Sequence, residues 1–179
     1  MILAAGTSSR VGKQKLLMDF RGRRLIEYPI AAAQPWNPIV VCGIEVEQYL
    51  LGRSDVELLR NDEPERGMSH SLALANHIVA ADLMLFVLLG DKPLVSTSLI
   101  ESTRAAAENS DVTYPMHKGV PGHPVTLSPR ARHYIDGLPS GDTVRLLRDR
   151  PELRHFAMQT ADVGAVFDVD TAQSLRQAP

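Results

Sequence analysis

The chain has 179 residues, the length of one ordinary domain. With 44% hydrophobic and 22% charged residues it is not an intrinsically disordered chain, and it can bury a sizeable core. A formal net charge of −2 gives no electrostatic footprint for nucleic acid or an anionic membrane, so local groups must hold any anionic ligand.

Strand-like and helix-like runs alternate along the chain. "MILA" opens as a short strand. "LIEYPIAAAQ" has helical composition, with Pro29 awkwardly inside it. "PIVVCG" reads as a buried strand. Its Cys42 is the single cysteine, which excludes an intrachain disulfide and a Cys-rich zinc site and fits an inert buried thiol. "VEQYLLGR" is a short helix stopped near Gly52, and "DVELLRN" a further strand. "MSHSLALANHIVAA" carries apolar residues at helical spacing. "LMLFVLLGD" is the clearest buried strand, ended abruptly by Gly-Asp. It is too short to cross a bilayer, and the N-terminus lacks the order of a signal peptide, so a cytoplasmic protein is expected.

"STSLIESTRAAAEN" offers Ser96 and Thr97 as helix caps. "DVTYPM" and "PVTLS" read as two strands joined by the glycine-rich "HKGVPGH". "GDTVRLLRDR" is a helix whose charges suit its dipole. "ELRHFAMQT" and "AVFDVD" supply late strands, and "TAQSLRQ" a closing helix. This alternation predicts a three-layer α/β/α, Rossmann-like fold with a mainly parallel sheet, in one domain over 1–179. In such sheets ligands sit at the carboxyl ends of strands, which directs the search to polar residues just after apolar runs.

Three segments meet that criterion. "LAAGTSSRVGKQK" follows the first strand. Gly6 and Gly12 permit close backbone approach, loop N–H groups can cradle anionic oxygens, and Arg10, Lys13 and Lys15 add charge. Five residues separate the two glycines, and Lys13 is followed by Gln14, so the ATPase phosphate loop is excluded; the dinucleotide glycine spacing is absent too. In "LLGDKPLV", Asp91 stands where a buried strand ends, placed either to hold Mg²⁺ beside substrate phosphates or to cap a turn. In "FDVDTAQSL", Asp168 and Asp170 would share a face of a strand, and either can be a second metal ligand; Asp170 can equally cap the last helix. His70, His77, His117, His133 and His155 are scattered and read as surface or packing residues. Asp62 and Glu63 follow a strand end, in what can be a solvated loop.

Taken together and in order, these segments resemble the nucleotidyltransferases that build the molybdenum cofactor. "LAAGTSSRVGKQKLL" is similar to their L-A-A-G-x-S-x-R-x-G-x-x-K-L-L signature, "LGDKPLV" to G-D-x-P-x-V, and "FDVDTAQSL" to D-x-D-T-P-x-D-L. "ERGMSHSLALA" resembles G-M-S-x-S-L, and "GVPGHPVTLS" resembles G-x-P-G-H-P. The likeness is greatest to the molybdenum cofactor cytidylyltransferases, since the guanylyltransferase branch usually has Gly where Ala5 stands.

The resemblance implies an Mg²⁺-dependent transfer of CMP from CTP, or from another NTP, to a molybdopterin-type phosphate. A molybdenum hydroxylase receiving the cofactor is an implied partner, whereas nucleic acid and membrane are not. Leu3, Ala4, Ala5 and Gly6 would approach the base and ribose, with Gly67, Ser69 and Ser71 lining that pocket. Arg10 and Lys15 would bind the triphosphate, Asp91 and Asp170 the metal, and His123 and Pro124 the acceptor. Arg10, Lys15 and Asp91 would be the catalytic set.

The chain departs from the pattern at four places. Only Met1 and Ile2 precede Leu3, so either the sequence lacks its native start or the first strand is short. Lys92 stands where an uncharged residue is usual, and Ala172 where Pro is usual. "SGDTVR", with Asp142, replaces G-D-x-G-A-R and loosens the acceptor assignment. Two alternatives therefore stay open: transfer to a sugar or alcohol phosphate, and a non-catalytic nucleotide- or cofactor-binding accessory of a molybdenum enzyme.

Overall fold

Period-two burial organises the molecule. In the computed structural model, which describes residues 1–6, 14–141 and 144–169, the strands are β1 (Ile2–Ala4), β2 (Asp19–Phe20), β3 (Arg23–Arg24), β4 (Ile39–Cys42), β5 (Glu57–Arg60), β6 (Leu85–Leu89), β7 (Val112–His117), β8 (Val120–Pro121), β9 (Val125–Leu127) and β10 (His155–Gln159). The α-helices are α1 (Glu27–Ala33), α2 (Ile44–Leu50), α3 (Met68–Ile78), α4 (Thr97–Ala106), α5 (Pro129–Arg132) and α6 (Val144–Arg148). The main sheet runs β10-β7-β9-β6-β1-β4-β5, with β8 paired to β7; β2 and β3 form a separate hairpin.

The main sheet is mostly parallel. β5, β4, β1 and β6 run together, as do β7 and β10. β9 enters between β6 and β7 antiparallel to both, and β8 turns back on β7. Alternate residues of each strand serve opposite faces. Ile2, Ala4, Val40, Cys42 and Leu88 pack with Ile30 of α1, Val46 and Leu50 of α2 and Ile100 of α4. Met1, Leu3, Val41 and Val87 pack with Leu72 and Ala75 of α3, Ala131 of α5 and Val144 and Leu147 of α6. Each fully buried Leu or Ile contributes about 1.5–3 kcal/mol, so two such clusters hold the expected three layers together.

Local chemistry explains the element ends. Pro29 is the third residue of α1, in the first turn, where a backbone N–H has no helical partner to lose. Ser96 caps α4 by accepting from the Leu99 N–H at 3.1 Å. Cys42 is fully buried, and its thiol is pushed up to about 11 by burial and by Glu47.

One expected element is missing among the described residues. "AVFDVD" is not a strand: Val163–Ala165 is a single 3₁₀ turn, and 166–169 are irregular. Its backbone groups are taken by loops instead of a ladder. The Ala165 carbonyl accepts from the His123 N–H at 2.8 Å, and the Val169 N–H donates to the Asp91 carbonyl at 3.0 Å. The shared strand face expected for Asp168 and Asp170 does not apply. "TAQSLRQ" lies outside the described residues.

Two features belong to the edge of the sheet away from the strands' carboxyl ends. A cavity of about 840 Å³, with Trp36, Ile78, Leu83 and Phe86 in its wall, opens at the amino ends of β1, β4 and β6. Beside it Arg132, only 5% exposed, closes the end of α3. Its guanidinium donates to the carbonyls of Asn76, Val79, Ala80 and Leu83 and to the Asn76 side chain, over 2.6–3.0 Å. The Asn76 and Val79 carbonyls are ones that the helix end leaves without partners, and those of Ala80 and Leu83 belong to the loop that follows. Arg132→Met should cost at least about 3 kcal/mol, since several carbonyls lose their partner together. Urea denaturation should show a lower midpoint at unchanged slope, and an unshifted midpoint would contradict the role given to this arginine.

Candidate active site

The carboxyl ends of β5, β4, β1 and β6 stand side by side, and backbone bonds tie them together. Ala4 pairs with Cys42, the Cys42 carbonyl accepts from the Asn61 N–H at 2.9 Å, and the Leu3 carbonyl accepts from the Gly90 N–H at 3.0 Å. Leu3, Ala4 and Ala5 are buried, and the chain emerges at exposed Gly6. Arg10 lies outside the described residues, as do Asp142 and Asp170.

On the β5 side, buried Asn61 donates from Nδ2 to Ser71 Oγ at 2.9 Å, and its Oδ1 accepts from the Glu63 N–H at 2.9 Å. Ser69 and Ser71 are buried in the first turn of α3, directly after Gly67. Gly67 has φ +85°, and a side chain there would run into the backbone of Gly141. The Arg66 carbonyl accepts from the Gly141 N–H at 3.1 Å and the Ser140 hydroxyl at 2.9 Å. The loop before α6 is thereby docked onto the start of α3.

At the centre, Lys15 Nζ lies 2.8 Å from Asp91 Oδ2, both side chains about one-fifth exposed. Lys15 is held there by the 3₁₀ turn Lys15–Leu17, whose Leu16 packs in the core. Asp91 follows Gly90, where a side chain would press on Leu16 and Ile26. Among the described residues, Asp91 Oδ1 is buried with no hydrogen-bond partner. A buried charged acceptor left unpaired is costly, which makes this oxygen a candidate for a ligand. A hard cation that takes one or two protein carboxylates and completes its shell with phosphate oxygens fits this donor set. Among the described residues no group of three His, Cys, Asp or Glu is gathered that could enclose a metal.

The antiparallel course of β9 brings its start to the carboxyl end of β6, with Val125 opposite Val87. His123 and Pro124, joined by a cis peptide, precede it. His123 Nδ1 lies 3.2 Å from the Val87 carbonyl, which can only accept, so Nδ1 carries the proton and Nε2 is an acceptor. Burial first, and then the nearby Lys92 ammonium, push His123 down to about 4, so the ring is neutral at pH 7.

Residues 162–169 cross this edge as a strap. Gly164 lies so close to the Leu94 carbonyl that a side chain would collide with it. Gly122, in "PGHP", faces the Ala165 carbonyl just as closely. Lys92 turns inward and is only 4% exposed. Its Nζ lies 3.3 Å from the Val166 carbonyl and 3.6 Å from Asp168 Oδ2.

The described candidates therefore gather along one edge, with Lys15 and Asp91 in direct contact. Sequence reasoning passed over Asn61, whose signal was a polar residue straight after a strand, and left open the direction of Lys92. The remaining histidines serve elsewhere. His77 pairs with Asp136, His70 with Glu63, and His117 with the Thr160 carbonyl, while His133 and His155 are exposed. Asp62 is exposed and pairs with Arg60 at 2.7 Å; Glu63, also exposed, pairs with Arg66 at 2.9 Å.

The MobA-like NTP transferase domain matches residues 1–156. The molybdenum cofactor cytidylyltransferase of Escherichia coli (strain K12) is 22% identical, over 96% of this chain and 90% of its own length. The crystal structure of a Mycobacterium tuberculosis Rv0371c homologue from Mycobacterium sp. strain JC1 superposes with a TM-score of 0.83 at 25% identity, covering 98% of this chain and 91% of that one. The manganese complex of Rv0371c from M. tuberculosis H37Rv shares the fold, with a TM-score of 0.75 at 18% identity over 98% of this chain and 93% of that one. The chain belongs to the MobA-like NTP transferase domain family and is a nucleotidyltransferase.

Proposed function

We propose that the chain, acting as one domain in the cytoplasm, transfers CMP from CTP to the phosphate of a molybdopterin-type acceptor and releases pyrophosphate. The observation that carries this reading is Asp91, with one carboxylate oxygen on Lys15 and the other buried and unpaired among the described residues. The likeness to the E. coli cytidylyltransferase supports the choice of nucleotide and acceptor. No helix among the described residues is long and apolar enough to cross a membrane.

The acceptor phosphate is already anionic near neutral pH, so its oxygen attacks the α-phosphorus without a protein base. A P–O bond forms there, and the bond to the β-phosphate oxygen breaks. Lys15 and Arg10 bind the triphosphate and offset the charge that grows on the leaving pyrophosphate. Asp91 and Asp170 hold Mg²⁺, which when bound supplies Lewis-acid neutralisation of the phosphate oxygens. Leu3, Ala4, Ala5 and Gly6 bring backbone to the base and ribose, across from Gly67, Ser69 and Ser71. On the other side His123 offers a neutral Nε2 acceptor and Pro124 a rigid wall to the acceptor. Positioning then supplies most of the acceleration.

With Mg²⁺ and molybdopterin, pyrophosphate should be released from CTP and not from the other NTPs. Asp91→Asn should lower that turnover by at least about 100-fold. Nucleotide binding without turnover in the wild-type protein would instead support the accessory reading. The neutral His123 also sets a pH dependence. Unfolded, it takes a proton below its ordinary 6.5; folded, only near 4. Between those values the unfolded chain binds more protons, so stability falls as pH drops through that window, by up to roughly 3 kcal/mol. Urea titrations at pH 7 and 4.5 should show a smaller loss for His123→Asn than for wild type, and equal losses would refute the assignment.

A further inference from the structure

Lys92 is the most deeply buried lysine among the described residues and sits beside the residue that carries the proposed metal site. A charge so removed from water persists only where specific partners compensate it. The partners it reaches, the Val166 carbonyl at 3.3 Å and Asp168 at 3.6 Å, both belong to the strap. The next strap residue inward, Ala165, accepts from the His123 N–H at 2.8 Å and is pressed against Gly122. Val169, at the far end, donates to the Asp91 carbonyl. Lys92 thus grips the middle of a segment whose two flanks hold the acceptor loop and the end of β6.

We propose that Lys92 is a positioning residue for the acceptor side: by clamping residues 166–168 it holds Ala165 against His123 and so fixes the His123–Pro124 loop beside β6. The role given to that loop rests on the function proposed above; the clamp itself does not. Lys92 touches no reacting atom in this scheme and acts through the strap. Its charge is what the clamp needs, because an uncharged chain of similar length fills the same space without calling the strap to it. Lys92→Met therefore keeps the packing of β6 and removes only the grip.

The test is amide hydrogen exchange on the full chain, with no substrate present. In Lys92→Met the His123 and Val169 amides should exchange about tenfold faster or more, while those of β1, β4 and α3 hold their protection. Asp168→Asn should loosen the same amides. In turnover assays Lys92→Met should raise the KM for the molybdopterin acceptor at least about fivefold and change the KM for CTP less than about twofold. Unchanged exchange at His123 and Val169 would overturn the clamp, and so would a uniform loss of protection through the sheet, which marks a general core residue. Should the exchange change as expected while no transfer to molybdopterin is found in the wild type, the clamp stands and the proposed reaction falls.

Discussion

The turn after β6 is where an early and a late segment of the chain meet. Asp91 and Lys92 are consecutive and opposite in charge, and they send their side chains to different partners. Asp91 takes Lys15 from the start of the chain, and Lys92 takes Val166 and Asp168 from its end. The Asp91 carbonyl adds Val169, and the Gly90 N–H adds Leu3. The short central strand β1 is thus joined to the turn both through its own Leu3 and through Lys15, which follows it in the chain. A rigid turn is also what electrostatic catalysis asks of a fold: charges placed before the substrate arrives need not be reorganised during reaction.

Much of this was legible in the residues. The strong apolar runs became β4 and β6, because continuous apolar residues can be buried on both faces. Gly-Asp after "LFVLL" marked the carboxyl end of a strand, and the structure puts Lys15 against that aspartate. The misreading of "AVFDVD" has a physical reason. Its alternation of apolar and polar residues matches a strand, yet strand formation needs a free neighbour edge, and these residues pass over a loop rim that offers separate acceptors and donors instead. Lys92 was legible as a charge but not as a buried one, since its partners lie more than 70 positions away. The glycines of "PGHP" and "DVGA" needed coordinates for the same reason: what excludes a side chain there is a distant carbonyl, not a local turn.

Opposite charges also differ in what they do at this edge. The Lys15–Asp91 pair is part-exposed and leaves one carboxylate oxygen without a partner among the described residues, so it keeps capacity to bind. The Lys92–Asp168 pair sits beside a backbone carbonyl acceptor and serves to hold a segment in place. Neutral His123 lies near the buried ammonium, which adds to burial in keeping a second proton off the ring. The site therefore mixes groups available to ligands with groups committed to the frame, only one residue apart in sequence.

The direction of β9 has a consequence for how such a protein can change. By reversing between β6 and β7 it makes a seam in the sheet. The parallel strands β5, β4, β1 and β6 lie on one side, and β7 and β10 on the other. The β7–β8 hairpin grows from that seam outward, with exposed Lys118 and Gly119 at its tip. Insertions or exchanges there leave the register of β6 against β1 untouched, because no residue of the tip enters that ladder. The sheet therefore joins a half of fixed register to an edge whose outer turn can vary in length and sequence.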